Sequence, residues 1–311
     1  MTWIIIAILG HAANGFAFII DKILLNNAFK RSATYAGLVG LLSALALVLI
    51  PWVTAWPLGG DLLLAILSGL TFMAALWTFF AALSRGEASR VIPIISALIP
   101  IMTLIGTSLF LAERLSFYEL LGFFMLITAT VILAGGKAQN RLTLNALLLS
   151  LLSAFLFAVS SVSGKAVYDS VGFLGGFTTT RIVAALTSIM LVMLVDPLAG
   201  EEIKDIVKSM TAGRQKKRSG QLMSMATAGK LAIVGQTLGG LGFIAIQYAI
   251  SLGSASIVNA LQVMQFALLV IAAFILKNKA QTLLGESLNR SVIIIKGLAL
   301  VIMAIGLSLI V

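Results

Sequence analysis

Ten long apolar runs follow one another along this chain of 311 residues. A helix needs about 20 consecutive apolar residues to cross a bilayer. Membrane barrels instead alternate apolar and polar side chains in segments of about ten residues, whereas runs such as "LLGFFMLITATVILAGG" are continuous. The sequence therefore predicts an all-α membrane protein with ten transmembrane helices, at 2–20, 34–54, 61–83, 88–112, 115–135, 143–163, 176–195, 228–250, 254–276 and 291–311.

The charge content indicates a membrane setting. Only 10% of the residues are charged, against about 25% in soluble domains, and the mean hydropathy is +1.11. Basic loops that face anionic lipid explain the net charge of +10 better than nucleic acid does. We expect the lipid bilayer and a small-molecule substrate as partners, and no nucleic acid. A prokaryotic inner membrane is the expected location, with the chain a monomer or a homodimer.

Missing residue types disfavour several chemistries. The chain has no cysteine and a single histidine, His11, so a structural zinc site or a Ser-His hydrolase is not expected. No Asp or Glu stands in the middle of a run, and there is no Walker motif for ATP. The opening "MTWIIIAILG" has no basic start and no cleavage site, so it is interpreted as a first span. We expect no enzyme, no cofactor and no metal.

A short motif occurs twice. "GEASRV" at 86–91 joins the third run to the fourth, and "GSASIV" at 253–258 joins the eighth to the ninth, 167 positions later. Matching residues nearer the start of each half are separated by fewer positions. Lys22 and Lys165, for example, have an offset of 143. The increase in offset falls across the basic loop 196–227, which is an insertion in the second copy. Chance similarity among Ala, Ser and Gly is the alternative, but the ordered offsets favour duplication.

A duplicated unit of five spans has an inverted orientation in its second copy, because five is odd. Inverted repeats are the architecture of many secondary transporters, whose substrate site lies near the middle of the membrane between the repeats. The sequence predicts two inverted five-helix repeats, at 1–136 and 137–311.

The chain resembles the drug/metabolite transporter superfamily, in particular ten-span transporters with two EamA domains. The resemblance rests on "AALSRGEASRVIPIISALIPIMTLIGTSLFLAERLSFYELLGFFMLITATVILA" (81–134), "YAISLGSASIVNALQVMQFALLVIAAFIL" (248–276) and "KGLALVIMAIGLSLIV" (296–311). Two features depart from the family: Tyr35 stands where an arginine is frequent, and span nine lacks the prolines of span four. The residues that occupy positions of the family pattern are Ala88, Ser89, Pro93, Pro100, Glu113 and Gly122.

The distribution of basic residues predicts the orientation. Lys and Arg accumulate in cytoplasmic loops. Of the 21 basic residues, all but Arg114, Lys165 and Arg181 lie in connections that follow odd-numbered spans or at the start of the span after such a connection. The charge pattern therefore places both termini outside, whereas the family resemblance implies cytoplasmic termini.

Polar residues in the first and ninth spans are the main candidates for a substrate site. Such residues inside a membrane face protein or a water-filled cavity. His11 and Asn14 share a face of the first span, and histidine has an ordinary pKa near neutrality. Packing between helices is the alternative role for each of these side chains. The ninth span carries four polar residues at intervals of three: Ser256, Asn259, Gln262 and Gln265.

Two further residues are candidates. Trp77 is interpreted as a cavity wall for ring-bearing substrates or as a packing residue. Arg181 is interpreted as a ligand for a substrate carboxylate or phosphate, or as a side chain that snorkels to the interface. Pro93 and Pro100 are expected to free backbone carbonyls in span four, and Glu113 to act as a helix cap or gate partner.

The resemblance and the polar side chains together indicate a secondary transporter. We expect an exporter of small polar metabolites such as amino acids, working by alternating access, with proton coupling through His11 or substrate exchange. A flippase for lipid-linked substrates and a scaffold or sensor without transport are the alternatives. A central cavity between the halves would favour the transporter, and a lateral opening would favour the flippase. The absence of a cavity would favour the scaffold or sensor.

Overall fold

Helices make up most of the described chain. The computed structural model describes residues 2–25, 32–135, 142–201, 203–204, 225–276 and 290–311, and no strand occurs within these ranges. Most of the basic loop 196–227 lies outside them, as does Glu286. The helices are α1 (Thr2–Leu25), α2 (Ser32–Leu42), α3 (Gly60–Leu83), α4 (Ala88–Phe110), α5 (Phe117–Ala134), α6 (Leu144–Val171), α7 (Phe173–Met190), α8 (Met225–Leu252), α9 (Ala255–Ala260), α10 (Val263–Leu276) and α11 (Arg290–Ile310).

The helices confirm an integral multi-pass membrane protein. Two shorter apolar helices, Thr2–Ala17 and Ala36–Trp52, accompany the long ones, and every predicted run overlaps helical residues. The count of ten crossings stays a prediction. Seven segments within the described ranges are long and apolar enough to cross a membrane: Gly60–Leu83, Ser89–Phe110, Phe117–Ala134, Leu144–Val171, Phe173–Leu194, Ala255–Ile275 and Ser291–Ile310.

Three predicted spans are not regular α-helices, and of these the seventh ends in a π-helical turn, Leu191–Val195. The second continues from α2 as a 3₁₀ helix, Ser43–Trp52, which contains Pro51 near its end. The ninth, predicted as continuous over 254–276, is interrupted between α9 and α10. There the amides of Gln262 and Gln265 donate to carbonyls three residues back instead of four, so the chain tightens locally and carbonyls of α9 lose their helical partners.

Small residues let the helices approach closely. α5 crosses α11 where a Cβ on Gly122 would lie 2.5 Å from the Gly306 carbonyl oxygen. α1 crosses α8 where a Cβ on Gly10 would lie 2.9 Å from the Gly242 carbonyl oxygen. Lipid tails are as apolar as the side chains that face them, so the hydrophobic effect does not drive helices together inside a membrane. Helix association there depends on such close packing and on interhelical hydrogen bonds.

Serines join α3 to α6. The Ser68 hydroxyl donates to the Ser160 carbonyl, and the Ser160 hydroxyl donates to the Ser68 carbonyl, both at 2.9 Å. About two turns earlier on α6, the Ser153 hydroxyl donates to the Ala75 carbonyl at 3.0 Å. All three serines are buried. These bonds hold a helix of the first half firmly against a helix of the second.

Candidate functional site

Both ring nitrogens of His11 have partners on the ninth span. Nε2 lies 2.8 Å from the Val258 carbonyl oxygen, and Nδ1 lies 2.9 Å from Nε2 of Gln265. A carbonyl only accepts hydrogen bonds, so His11 Nε2 is the donor and Nδ1 accepts from the amide. The ring is therefore neutral in this arrangement, and it is buried, with 4% of its surface exposed.

The interruption of span nine explains why the carbonyl oxygen of Val258 is free to accept a hydrogen bond from His11. In a regular helix the Val258 carbonyl would accept from the amide of Gln262. That amide donates to the Asn259 carbonyl instead, at 3.3 Å. A buried carbonyl without a donor is costly, and His11 supplies the missing donor from α1.

A second freed carbonyl lies in α4. Pro100 has no N–H, so the Ser96 carbonyl four residues earlier has no helical donor. The side-chain amide of Gln262 donates to that carbonyl. The sequence predicts that the prolines free carbonyls in this span, and the structure shows a side chain of span nine bound to one of them.

The other two polar residues of span nine also make bonds between helices. The Asn259 amide donates to the hydroxyls of Thr103 on α4 and Ser161 on α6, at 3.0 and 3.1 Å. The Ser256 hydroxyl donates to the Glu113 carboxylate at 2.8 Å. The neighbouring Ser254, which caps α9, donates to the same carboxylate, so Glu113 acts as a helix-cap partner.

His11, Asn259, Gln262 and Gln265, which we call the polar seam, thus connect α1, α4, α6, α9 and α10. Every member has a hydrogen-bond partner, as the packing interpretation requires. Each amide retains an oxygen that is able to accept a further bond. A substrate-binding role for the polar seam stays a prediction.

Asn14 and Trp77 lie apart from these bonds. Asn14 is half-buried where α1 crosses α8, and a Cβ on Gly242 would lie 2.7 Å from its Oδ1. Trp77 is 37% exposed. It shares an exposed stripe of α3 with Leu63 and Leu70, which are spaced by whole helical turns from it.

Arg181 lies in the interior, on α7, with 3% of its surface exposed. The interpretation that it snorkels to the interface is therefore wrong. Its Cζ lies 4.2 Å from the ring centre of Phe72, 4.9 Å from that of Phe243 and 5.9 Å from that of Phe177. We call these three rings the phenyl cage. Such contacts attract a cation through the negative face of each ring.

Two buried polar atoms on α7 have no hydrogen-bond partner among the described residues: Nε of Arg181 and Oγ1 of Thr178. Residues three apart share one face of a helix, so the two atoms belong to the same side of α7. Thr178 is fully buried. Unpaired polar groups in such a place are unusual in folded proteins.

A cavity of about 780 Å³ opens beside the connection from α6 to α7. Its walls include Thr54 from the second span, Phe173 and Leu174 from α7, and Leu241 and Tyr248 from α8. The lining is mainly apolar. No group of three His, Asp or Glu side chains suited to a metal is found within the described ranges.

The phenyl cage and the cavity were not predicted from the sequence. Phe72, Phe177 and Phe243 stand on three different helices and follow no common spacing. The one available signal was the arginine inside an apolar run, since a charge there needs partners. Nothing in the spacing identified the partners as phenylalanines.

The geometry is that of a multi-pass helical membrane protein with polar groups shared between its helices. Residues 1–135 match the EamA-like transporter family. This match covers less than half of the chain; it agrees with the resemblance found in the sequence and points to a membrane transporter.

A solved structure titled "Crystal structure of protein" aligns with a TM-score of 0.58 at 16% sequence identity, over 96% of this chain and 98% of that one. At this identity the likeness shows the fold alone. No curated protein matches the sequence.

Proposed function

We propose that the protein is a secondary transporter that exports small polar metabolites such as amino acids from a prokaryotic cell through the inner membrane. Alternating access would take place between two inverted repeats, 1–136 and 137–311. The family match over 1–135 supports transport. The observation that carries the proposal is a set of matched contacts between the halves.

The first matched contact involves the repeated motif. A Cβ on Gly253 would lie 2.3 Å from the Trp3 indole, and a Cβ on Gly86 would lie 3.0 Å from Ala146 Cβ. Gly86 and Gly253 differ by 167 positions, and Trp3 and Ala146 by 143, the offsets of the sequence repeat. Each motif glycine thus contacts the first helix of the other half.

The second matched contact is at the helix crossings. Gly10 of α1 meets the Gly242 carbonyl of α8. Ser153 of α6 bonds the Ala75 carbonyl of α3. The offset of 143 relates Gly10 to Ser153, and the offset of 167 relates Ala75 to Gly242. Two crossings related by the same pair of offsets support a duplicated unit packed with twofold pseudo-symmetry.

The polar seam supports polar, uncharged groups on the substrate. Amides donate and accept hydrogen bonds, and the seam joins helices of both proposed repeats. In this proposal His11 couples transport to protons, because protonation at Nδ1 would oppose the Gln265 amide that now donates to it. Exchange of substrates is the alternative source of energy.

The cavity favours one second candidate, a flippase for lipid-linked substrates. Its mainly apolar lining suits a hydrocarbon tail. A flippase would move lipid probes between leaflets and leave water-soluble metabolites where they are.

Uptake into proteoliposomes tests the proposal. The probes are labelled amino acids, sugars and quaternary amines, each with and without a pH gradient, in wild type, His11→Ala and Gln262→Ala. We expect saturable amino-acid transport that falls in Gln262→Ala, and loss of the gradient dependence in His11→Ala. A folded protein that moves only fluorescent lipid would favour the flippase, and one that moves no probe would contradict transport.

A further inference from the structure

Arg181 is a buried cation without a counter-ion among the described residues. No ion pair within the described ranges involves its guanidinium. Removing a guanidinium from water is costly even after relaxation. Cation–π contacts return part of that cost, so the phenyl cage offsets some of the penalty without neutralising the charge.

The unpaired atoms indicate what is missing. Nε of Arg181 and the hydroxyl of Thr178 both lack partners within the described structure, and both belong to one side of α7. An arginine presents a planar fork of donors that matches the two oxygens of a carboxylate. A hydroxyl three residues away is able to donate to the same oxyanion.

Aromatic rings connect the cavity to this cation. Phe173, which lines the cavity, stacks on Phe177 with ring centres 5.1 Å apart, and Phe177 lies 6.3 Å from Phe243. Phe177 and Phe243 both contact Arg181. Phe173 and Arg181 are eight positions apart on α7, a rise of about 12 Å between their backbone positions at 1.5 Å per residue.

We propose that Arg181, with Thr178, binds the carboxylate of a monoanionic substrate whose apolar or aromatic body occupies the cavity beside Phe173 and Tyr248. One guanidinium balances one negative charge, which favours a carboxylate over a phosphate dianion. Because the lining of the cavity is mainly apolar, the part of the substrate that occupies it is apolar or aromatic. Phe177 and Phe243 must turn aside for the carboxylate to reach Arg181. This inference rests on the proposed function and specifies a substrate that carries a carboxylate and an apolar body.

Binding and transport are measured separately, so that the two proposals fail separately. Labelled 3-phenylpropionate serves as the anionic probe, 3-phenylpropionamide as its neutral isostere and phenyl phosphate as the competing oxyanion. Binding is measured on the purified full chain in detergent, and uptake in proteoliposomes. Anionic lipid is added in a further arm, where competition with the probe would show that the site takes a lipid headgroup and overturn the proposal.

The variants are Arg181→Gln, Arg181→Lys and Thr178→Val. Arg90→Gln is the matched control, since it removes one positive charge from an exposed arginine. Loss of a charged hydrogen bond corresponds to at least about a tenfold change in affinity. We expect wild type to prefer the anion to the amide, Arg181→Gln to lose about tenfold or more in affinity for the anion alone, and Arg181→Lys to retain part of it.

A structural role would lower binding of the anion and the amide alike, which would overturn the proposal. Equal affinity of wild type and Arg181→Gln for 3-phenylpropionate would overturn it too, even if the protein transports other metabolites. Should Arg181→Gln fail to give a monodisperse protein, Thr178→Val decides. Its change is nearly isosteric, and unchanged affinity in that variant would contradict the proposal whereas weakened affinity would support it.

Discussion

His11 and Gln262 perform the same structural task at two places in the membrane. His11 donates to a carbonyl freed by the interruption after α9, and Gln262 donates to a carbonyl freed by Pro100. A carbonyl in a low-dielectric interior needs a donor. At the residue scale, His11 and Gln262 are therefore each coupled to an irregularity in the backbone of another span.

Replacing His11 tests this at one residue. His11→Ala leaves the buried Val258 carbonyl without its donor, and we expect the free energy of unfolding to fall by about 1–2 kcal/mol. The measurement is equilibrium unfolding in mixed micelles. Gln265→Leu should be less than additive with His11→Ala, because both remove the bond to Nδ1.

Thr128→Ala is the control for His11→Ala. Thr128 is exposed on α5 and bonds only the Phe124 carbonyl of its own helix. We expect a loss within about 0.5 kcal/mol. Equal losses in the control and in His11→Ala would show that the Val258 bond contributes nothing particular.

Spans four and nine, at the scale of elements, are irregular in different ways. α4 contains two prolines and spans its length as one helix, whereas the ninth span breaks into α9 and α10 without a proline. The repeat offset of 167 relates Asn259, Gln262 and Gln265 to Ile92, Ile95 and Leu98. One half carries the prolines and the other carries the amides that satisfy the freed carbonyl.

A double substitution tests the link between these two spans. Gln262→Leu should destabilise the protein by about 1–3 kcal/mol, because the Ser96 carbonyl is left without a donor. In a Pro100→Ala background the new backbone N–H is able to take over that bond, so the same substitution should have a much smaller effect. Equilibrium unfolding of the four proteins gives the coupling, and purely additive effects would contradict the link.

The start of α9 depends on a cap. The Ser254 hydroxyl accepts from the Ile257 amide at 3.0 Å and donates to Glu113. Ser254→Ala should cost about 1 kcal/mol, as for other N-cap serines, and should speed hydrogen exchange of the amides at 255–258. Ser308→Ala is the control, since Ser308 is bonded only within α11. Unchanged exchange at 255–258 would show that α9 does not need this cap.

The two halves interlock at the scale of the whole molecule. α1 packs along α8, α3 along α6 and α5 against α11, so three helices of the first half have their main neighbours in the second. A half expressed alone would expose the crossings at Gly10, Ser68 and Gly122. We therefore expect that the proposed repeats do not fold independently of each other.

Splitting the chain tests this interlocking. Neither 1–136 nor 137–311 alone should give a monodisperse protein, whereas the co-expressed halves should purify together through a tag on one of them. Size-exclusion chromatography and thermal unfolding are the measurements, with the intact chain as the control. A single half that unfolds cooperatively on its own would contradict the prediction.

Much of this protein follows from its residue order. The apolar runs are long and nearly free of charge, so they predicted helices at positions that the structure confirms. The glycine-containing motifs were also recognisable, since they repeat along the chain. The polar residues of spans one and nine were recognisable because a polar group in hydrocarbon needs a partner. The sequence did not identify the partner of each polar residue. His11 and Gln265 were both candidates for the substrate site, but their hydrogen bond to each other was not predicted.

Only the tertiary structure decided where the chain departs from a regular helix and which side chains bond the carbonyls that are freed there. Leu261 and Gln262 carry no helix-breaking residue type, yet the helix stops there, since His11 offers the Val258 carbonyl a donor from another span. The phenyl cage of Arg181 likewise draws one ring from each of α3, α7 and α8. Periodicity reports which face of a helix is buried, but contacts between distant segments depend on how the helices cross, and that is a property of the assembled bundle.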